Sequence, residues 1–346
     1  MEDNRMAMHI QPYGKEINRA IFDLMLEKSD LLIFGEDISD PYGGAFAITR
    51  GLSTEFPNRV FNTPISEASL FGFCFGVASE NIPVVLEIMF GDFVLLAMDQ
   101  LHNNLSKISM LSNIQSSLVI RTPMGGYRGY GPTHSQTLNR FLVGSENIDV
   151  VCSSNYISPF LTLSNMLDRK RISVFIEDKM SYLELSRIKE DQLSENFSII
   201  RLGFPFQDVL FKSLQVLSGP RVLIICVGSM IRLSLMASEV LLIQHEILVD
   251  IYQVNSLWPI NKEELVKASK DYRQILIVEE GWEPYGISSE IIAILSEHNS
   301  RDFRAILRRI GSKSSIIPSS MKLEAQTLPT TESIVEALLE ISNKGK

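Results

Sequence analysis

The chain has 346 residues, with 41 Asp and Glu against 32 Lys and Arg, a formal net charge of −9. Apolar residues make up 45% and charged residues 21%, so the chain can bury a large core and is not a disordered one. The acidic balance excludes the broad basic surface that a dedicated nucleic-acid binder needs. At about 150 residues per domain, the length fits two domains.

Three cysteines, Cys74, Cys152 and Cys226, each lie in or beside an apolar run. Their number is odd and no pair has metal-ligand spacing, so they read as buried, reduced thiols of a cytoplasmic protein. The N-terminal MEDNRMAMHIQPYGKE lacks the apolar stretch of a secretory signal. Residues 82–98 are the most apolar run. Pro83, Glu87, Gly91 and Asp92 interrupt it, and it is short for a bilayer span of ~20 residues, so no membrane segment is expected.

In chain order, Ile17, Ala20, Ile21 and Leu24 recur at helical spacing and predict an amphipathic helix over 15–28. Short apolar runs predict strands at 31–34 and 59–62. Residues 66–79 read as a helix that is apolar nearly all round, hence buried on most sides, with Gly72 and Gly76 allowing close approach of another backbone. PVVLEI (83–88) predicts a strand. From Asp92, a stripe of Val94, Met98, Leu101, Leu105 and Ile108 predicts one long helix. Strand 117–121 leads into the glycine-rich loop TPMGGYRGYGPTHSQ (122–136), followed by strand 149–152, a helix near 157–169 and strand 172–177.

Strands separated by helices imply a parallel sheet with helices on both faces. Residues 186–205 carry mixed charge and weak periodicity and read as a linker between a first domain, 1–185, and a second, 206–346. The second half repeats the alternation. Strands are expected at 221–228, 246–254, 274–280 and 303–309, with helices near 230–244, from Asn261, and near 286–297. The fold class is therefore α/β, with two doubly wound domains.

Sites in parallel α/β sheets form at the carboxyl ends of strands. Three polar turns lie there in the first domain: NTPISEAS (62–69) with Glu67, MFGDF (89–93) with Asp92 and Phe93, and the glycine-rich loop with His134. Taken singly, Glu67 could simply complement a helix dipole, Phe93 could be core, and the glycines could only make turns. No phosphate-binding P-loop, dinucleotide fingerprint, H-E-x-x-H or G-x-S-x-G is present, which disfavours an ordinary kinase, metalloprotease or α/β hydrolase.

Read together, the three turns resemble the β subunits of 2-oxoacid dehydrogenases, the thiamine-diphosphate-dependent first component of the pyruvate and branched-chain complexes. The resemblance runs through GEDISDPYGGAFAITRGLSTEFPNRVFNTPISEAS, EIMFGDFVLLAMDQLHN and RTPMGGYRGYGPTHSQ, then VEEGW and its surroundings, and covers nearly the whole chain. It implies a transketolase-like pyrimidine-binding domain followed by a transketolase C-terminal-like domain. It implies that Glu67 touches the cofactor's aminopyrimidine ring and relays a proton, that Phe93 stacks on that ring, and that His134 assists acyl transfer to a lipoyl group. Gln136 and Met89 become further cofactor contacts.

The superfamily holds Mg²⁺ and the diphosphate through a G-D-G motif with a downstream Asn, and this chain has Gly91-Asp92-Phe93 instead. The resemblance thus implies half a site, completed by an α-type subunit that carries the diphosphate and Mg²⁺, two α with two β. It also implies a lipoyl acyltransferase and a small 2-oxo acid, with no nucleic acid or membrane as partner. The loop departs from the family pattern at Tyr127, Arg128 and Tyr130, and LWPI (257–260) replaces an arginine-containing segment. These departures keep open a split transketolase-like carboligase. A catalytically silent partner subunit is the third reading, and the joint presence of Glu67, Phe93 and His134 argues against it.

Overall fold

A computed structural model describes residues 11–188, 192–193, 196–217, 221–298 and 305–344. Strands in the first half are β1 (Leu32–Gly35), β2 (Val60–Asn62), β3 (Val84–Glu87), β4 (Leu118–Met124), β5 (Ile148–Cys152) and β6 (Ile172–Asp178). The second half contains β7 (Gln192–Leu193), β8 (Phe197–Leu202), β9 (Asp208–Ser213), β10 (Arg221–Val227), β11 (Leu248–Val254), β12 (Ser256–Trp258), β13 (Gln274–Trp282) and β14 (Ile306–Ser312). They form two seven-stranded sheets, ordered β12-β5-β6-β4-β3-β1-β2 and β14-β13-β10-β11-β9-β8-β7.

The first sheet is parallel from β5 to β2, and its central strands are buried on both faces. Alternate side chains divide between two cores, as the period of two requires. Val85, Val119 and Phe175 join Ile17, Ile21 and Leu24 of helix Tyr13–Glu27 and Leu163 of helix Pro159–Asp168. Leu86, Ile120 and Val174 join Phe71 and Cys74 of helix Glu67–Ser79 on the other face. All three cysteines are free and buried. Among the described residues no helix is long and apolar enough to cross a membrane.

Four expectations change. The stretch read as a linker contains β8, paired antiparallel with β9 at the margin of the second sheet. Such a strand is only partly covered, so it lacks the clean apolar run that marks a central one. Next, β12 leaves the second half and adds antiparallel to β5 in the first sheet, so the two halves share a sheet edge. The long helix after Asp92 is in fact a 3₁₀ segment Gly91–Ala97, a wide π-type segment Gln100–Leu105 and a short α-helix Ser106–Leu111. Part of the apolar stripe survives: Val94, Leu101 and Leu105 are buried and Met98 half-buried, while Ile108 in the last segment is 40% exposed. Finally, helix Glu67–Ser79 is not covered all round, since Phe73 is 54% exposed and Gly76 faces open space.

Candidate active site

In the order β6-β4-β3-β1-β2 the strands run parallel, so their carboxyl ends share one edge. Each end contributes a polar or aromatic group there. Beneath them, Arg121 on β4 bridges its two neighbours. Its Nε and Nη2 donate to Glu177 on β6 at 2.6 and 2.9 Å, and Nη1 donates to Glu87 on β3 at 2.8 Å. Tyr182 donates its hydroxyl to the same Glu177, 2.6 Å away. All four side chains are buried, and the network fixes the spacing of the three strand ends.

After β1 comes Glu36, which is buried and accepts the backbone N–H of Ser66 at 3.1 Å. That bond sets the start of helix Glu67–Ser79 and places Glu67 in its first turn, buried as well. Burial, then the nearby Glu67 charge, raises the Glu36 carboxyl above its ordinary range. Among the described residues, no hydrogen bond reaches the Glu67 carboxyl.

After β3 the chain turns at Gly91, where an added Cβ would lie 2.2 Å from Cγ of Met124. Only glycine lets the β3 and β4 loops approach this closely. The approach brings together Phe93 and His134, whose rings meet edge-on with centroids 5.3 Å apart. Phe90 also meets His134 edge-on, at 4.7 Å, and Phe93 at 5.7 Å. Asp92 is buried, and its Oδ1 accepts the Gln136 side-chain amide at 2.8 Å. Its Oδ2 has no partner among the described residues, and burial raises its proton affinity. Met89 is half-buried at the end of β3.

The glycine-rich loop is clamped by acids from the second half. Glu280 accepts the Gly126 N–H at 2.6 Å and the Thr137 hydroxyl at 2.9 Å, and Glu324 accepts the Gly129 N–H at 2.9 Å. Gly125, Gly129 and Gly131 take positive φ angles of 98°, 68° and 83°, a backbone that glycine adopts without strain. On the imidazole of His134, Nδ1 lies 2.9 Å from the Thr133 hydroxyl, which leaves Nε2 without a protein partner among the described residues. After β6, the buried Lys179 donates its amino group to the backbone carbonyl of His134. Burial lowers its proton affinity, partly offset by Glu280, Asp92 and Asp178.

The five expected site residues therefore follow three strands: Glu67 comes after β2, Met89 and Phe93 after β3, and His134 and Gln136 after β4. Gln136 is engaged with Asp92. Reading the sequence overlooked Glu36, Phe90, Lys179 and Glu280. Glu36, Phe90 and Lys179 follow strand ends directly, which was the available signal; Glu280 needed the tertiary fold. Among the described residues no group of three or more His, Cys, Asp or Glu is arranged to hold a metal ion.

Comparison with known proteins matches this fold. The family described as transketolase, pyrimidine binding domain, matches residues 11–184, and transketolase, C-terminal domain, matches residues 212–334. The chain is 29% identical to a pyruvate dehydrogenase E1 component subunit beta of Porphyra purpurea, over 95% of this chain and 96% of that one. It is 28% identical to the acetoin:2,6-dichlorophenolindophenol oxidoreductase subunit beta of Bacillus subtilis, over 94% and 95%. It is 26% identical to the 2-oxoisovalerate dehydrogenase subunit beta of the same organism, over 97% and 99%. Among solved structures, a split-gene transketolase described as an inactive β4 tetramer superposes with a TM-score of 0.71 at 16% identity, covering 96% of this chain and 98% of that one, and shares the fold.

Proposed function

Because the chain belongs to the transketolase family through both its pyrimidine-binding and its C-terminal domain, we propose that it is the β-type subunit of a thiamine-diphosphate-dependent 2-oxoacid dehydrogenase. It decarboxylates a 2-oxo acid and passes the acyl group to a lipoyl arm, together with an α-type partner. One observation carries this reading: Glu67, whose carboxyl takes no hydrogen bond among the described residues, opens the same strand edge as the Phe93–His134 pair. A carboxyl with no protein partner is free to bond a ligand, and a ring nitrogen of an aminopyrimidine is a group that it can bond.

The residues fit the cofactor's pyrimidine half. When bound, thiamine diphosphate supplies the electron sink for decarboxylation. Glu67 holds or releases a proton at its carboxyl against the ring nitrogen. Glu36 fixes the helix start that aims Glu67. Phe93 offers a flat apolar surface to the ring, and with Phe90 it keeps water from the site. His134 presents Nε2 as a donor to charge developing on the substrate. Met89 directly precedes Phe90 in the chain and Gln136 holds Asp92, so both are assigned to shaping the site. Asp92 stands where a diphosphate motif would need a following glycine and is instead occupied with Gln136. The diphosphate and Mg²⁺ therefore belong to the α-type partner, in an assembly of two α and two β. Three buried thiols suit a reducing compartment such as the cytoplasm.

The test is co-expression with an α-type partner, followed by assay with thiamine diphosphate and Mg²⁺ on a panel of 2-oxo acids, scoring CO₂ release and acyl-lipoamide. Glu67→Gln should abolish turnover and leave assembly intact; near-normal activity would sink the role of Glu67. A carbon–carbon bonded product without lipoamide would replace the dehydrogenase by a carboligase.

A further inference from the structure

Arg128 lies on the same loop as His134, half-buried, at the position where the family pattern is lost. Its guanidinium carbon stands 5.4 Å from the centre of the Tyr130 ring and 5.7 Å from that of Phe46. One nitrogen, Nη1, donates to the backbone carbonyl of Lys179 at 3.1 Å. The Tyr130 ring meets Phe90 edge-on at 6.2 Å, and Phe90 meets His134 at 4.7 Å. One aromatic wall thus runs from the guanidinium to the imidazole.

Carboxylates surround this loop, and each has an oxygen engaged elsewhere, although Asp92 Oδ2 and Glu324 Oε1 have no partner among the described residues. Glu280 holds Gly126 and Thr137, Glu324 holds Gly129, Asp92 holds Gln136, and Asp178 accepts the backbone N–H and hydroxyl of Ser181. Among the described residues, none makes an ion pair with Arg128. A second cation stands nearby: the Lys179 amino group is 5.6 Å from the centre of the Tyr130 ring, and the Arg128 charge acts on it unfavourably. Ring faces stabilise a guanidinium only in part, and its remaining donors need an acceptor when half-buried. The planar fork suits a carboxylate, which it can bind bidentately. An anion placed there would satisfy the free donors and relieve the repulsion between the two cations.

We propose that Arg128 binds the far carboxylate of the substrate, so that the preferred 2-oxo acid is a dicarboxylic one, with its ketone toward His134 and its second carboxylate on the guanidinium. The assignment rests on the 2-oxo acid reading of the site.

The experiment uses the complex with the α-type partner and compares 2-oxo dicarboxylates of increasing chain length with 2-oxo monocarboxylates of the same length. The wild type should show a lower KM for at least one dicarboxylate than for its monocarboxylate counterpart. Arg128→Gln removes the cation while Glu280 and Glu324 still hold the loop at Gly126 and Gly129, so the loop should persist. It should raise the dicarboxylate KM about ten-fold or more and leave kcat and the monocarboxylate KM nearly unchanged. Arg128→Lys should fall between. An equal loss for both substrate classes, or a wild-type preference for monocarboxylates throughout, overturns the assignment. No turnover of any 2-oxo acid by the wild type removes the proposed reaction instead. In that case calorimetric titration with glutarate still reads the anion site: the wild type should bind it and Arg128→Gln should not, and equal binding overturns the proposal.

Discussion

Glu280, at the carboxyl end of β13, accepts the backbone N–H of Gly126 at 2.6 Å and so ties the second half of the chain to the loop that carries His134. A Cβ at Gly125 would lie 3.2 Å from both oxygens of this carboxylate, so the loop is closed tightly on it. Burial first, and then the charge of Asp178, push the Glu280 carboxyl up to about 7. The folded chain therefore binds this proton more tightly than the unfolded chain does. Its stabilising contribution is full below the ordinary carboxyl range and is lost as pH rises through about 7. The size is on the order of 3 kcal/mol, from a shift of about two to three units at about 1.4 kcal/mol each. Glu280→Gln cannot ionise, and its amide can still accept from Gly126. Denaturant unfolding of both proteins between pH 5 and pH 8 should show the wild type losing stability relative to the variant as pH rises. Parallel curves would refute the assignment.

Arg121 carries a second prediction. It is 2% exposed and bonded to two carboxylates from neighbouring strands. Replacing it by Met keeps much of the volume but strands Glu87 and Glu177 with no cation. Leaving a buried charge unpaired costs about 3–5 kcal/mol. Arg121→Met should lower the unfolding midpoint substantially, and the triple change with Glu87→Gln and Glu177→Gln should recover part of the loss. Failure of the triple variant to recover would mean that Arg121 acts through packing alone.

The alternation of apolar runs and helical stripes carried the first sheet, because parallel strands buried on both faces leave unbroken apolar runs. PVVLEI and SLVIR are of this kind, and β3 and β4 lie within or start inside them. The pattern was silent on β8 and β12. β8 is only partly buried, so it carries no unbroken apolar run, and β12 is a three-residue edge strand that owes its pairing to β5, far earlier in the chain. The site divides in the same way. Glu67, Phe93 and His134 were visible because they lie in turns next to strand ends. Lys179 follows a strand end, but its partner, like that of Glu280, comes from the fold, which carries a lysine ammonium to the carbonyl of a residue 45 positions earlier and a carboxylate to an amide 154 positions earlier. The helix 66–79 shows the converse limit. Its composition promised burial, but composition cannot say that Phe73, although its ring meets Phe34 edge-on, stays 54% exposed.

His134 gives the sharpest test of the chemistry. Its imidazole stands against Phe90 and Phe93, while its backbone carbonyl accepts from Lys179, so its side chain and its main chain do separate work. His134→Ala removes Nε2 and keeps the carbonyl, and the loop should therefore stay in place, still held by Glu280 and Glu324 at Gly126 and Gly129. Loss of a positioned acid–base or donor group typically lowers the step it serves by about 10²–10⁴-fold. That loss should fall on transfer to a lipoyl acceptor. Decarboxylation read with an artificial electron acceptor should fall much less, and affinity for thiamine diphosphate should change only a few-fold. The two half-reactions can be measured separately in the complex with the α-type partner, alongside a fluorescence titration of the cofactor. An equal fall in both half-reactions would move His134 from acyl transfer to the step they share, and a large loss of cofactor affinity would make it a binding residue.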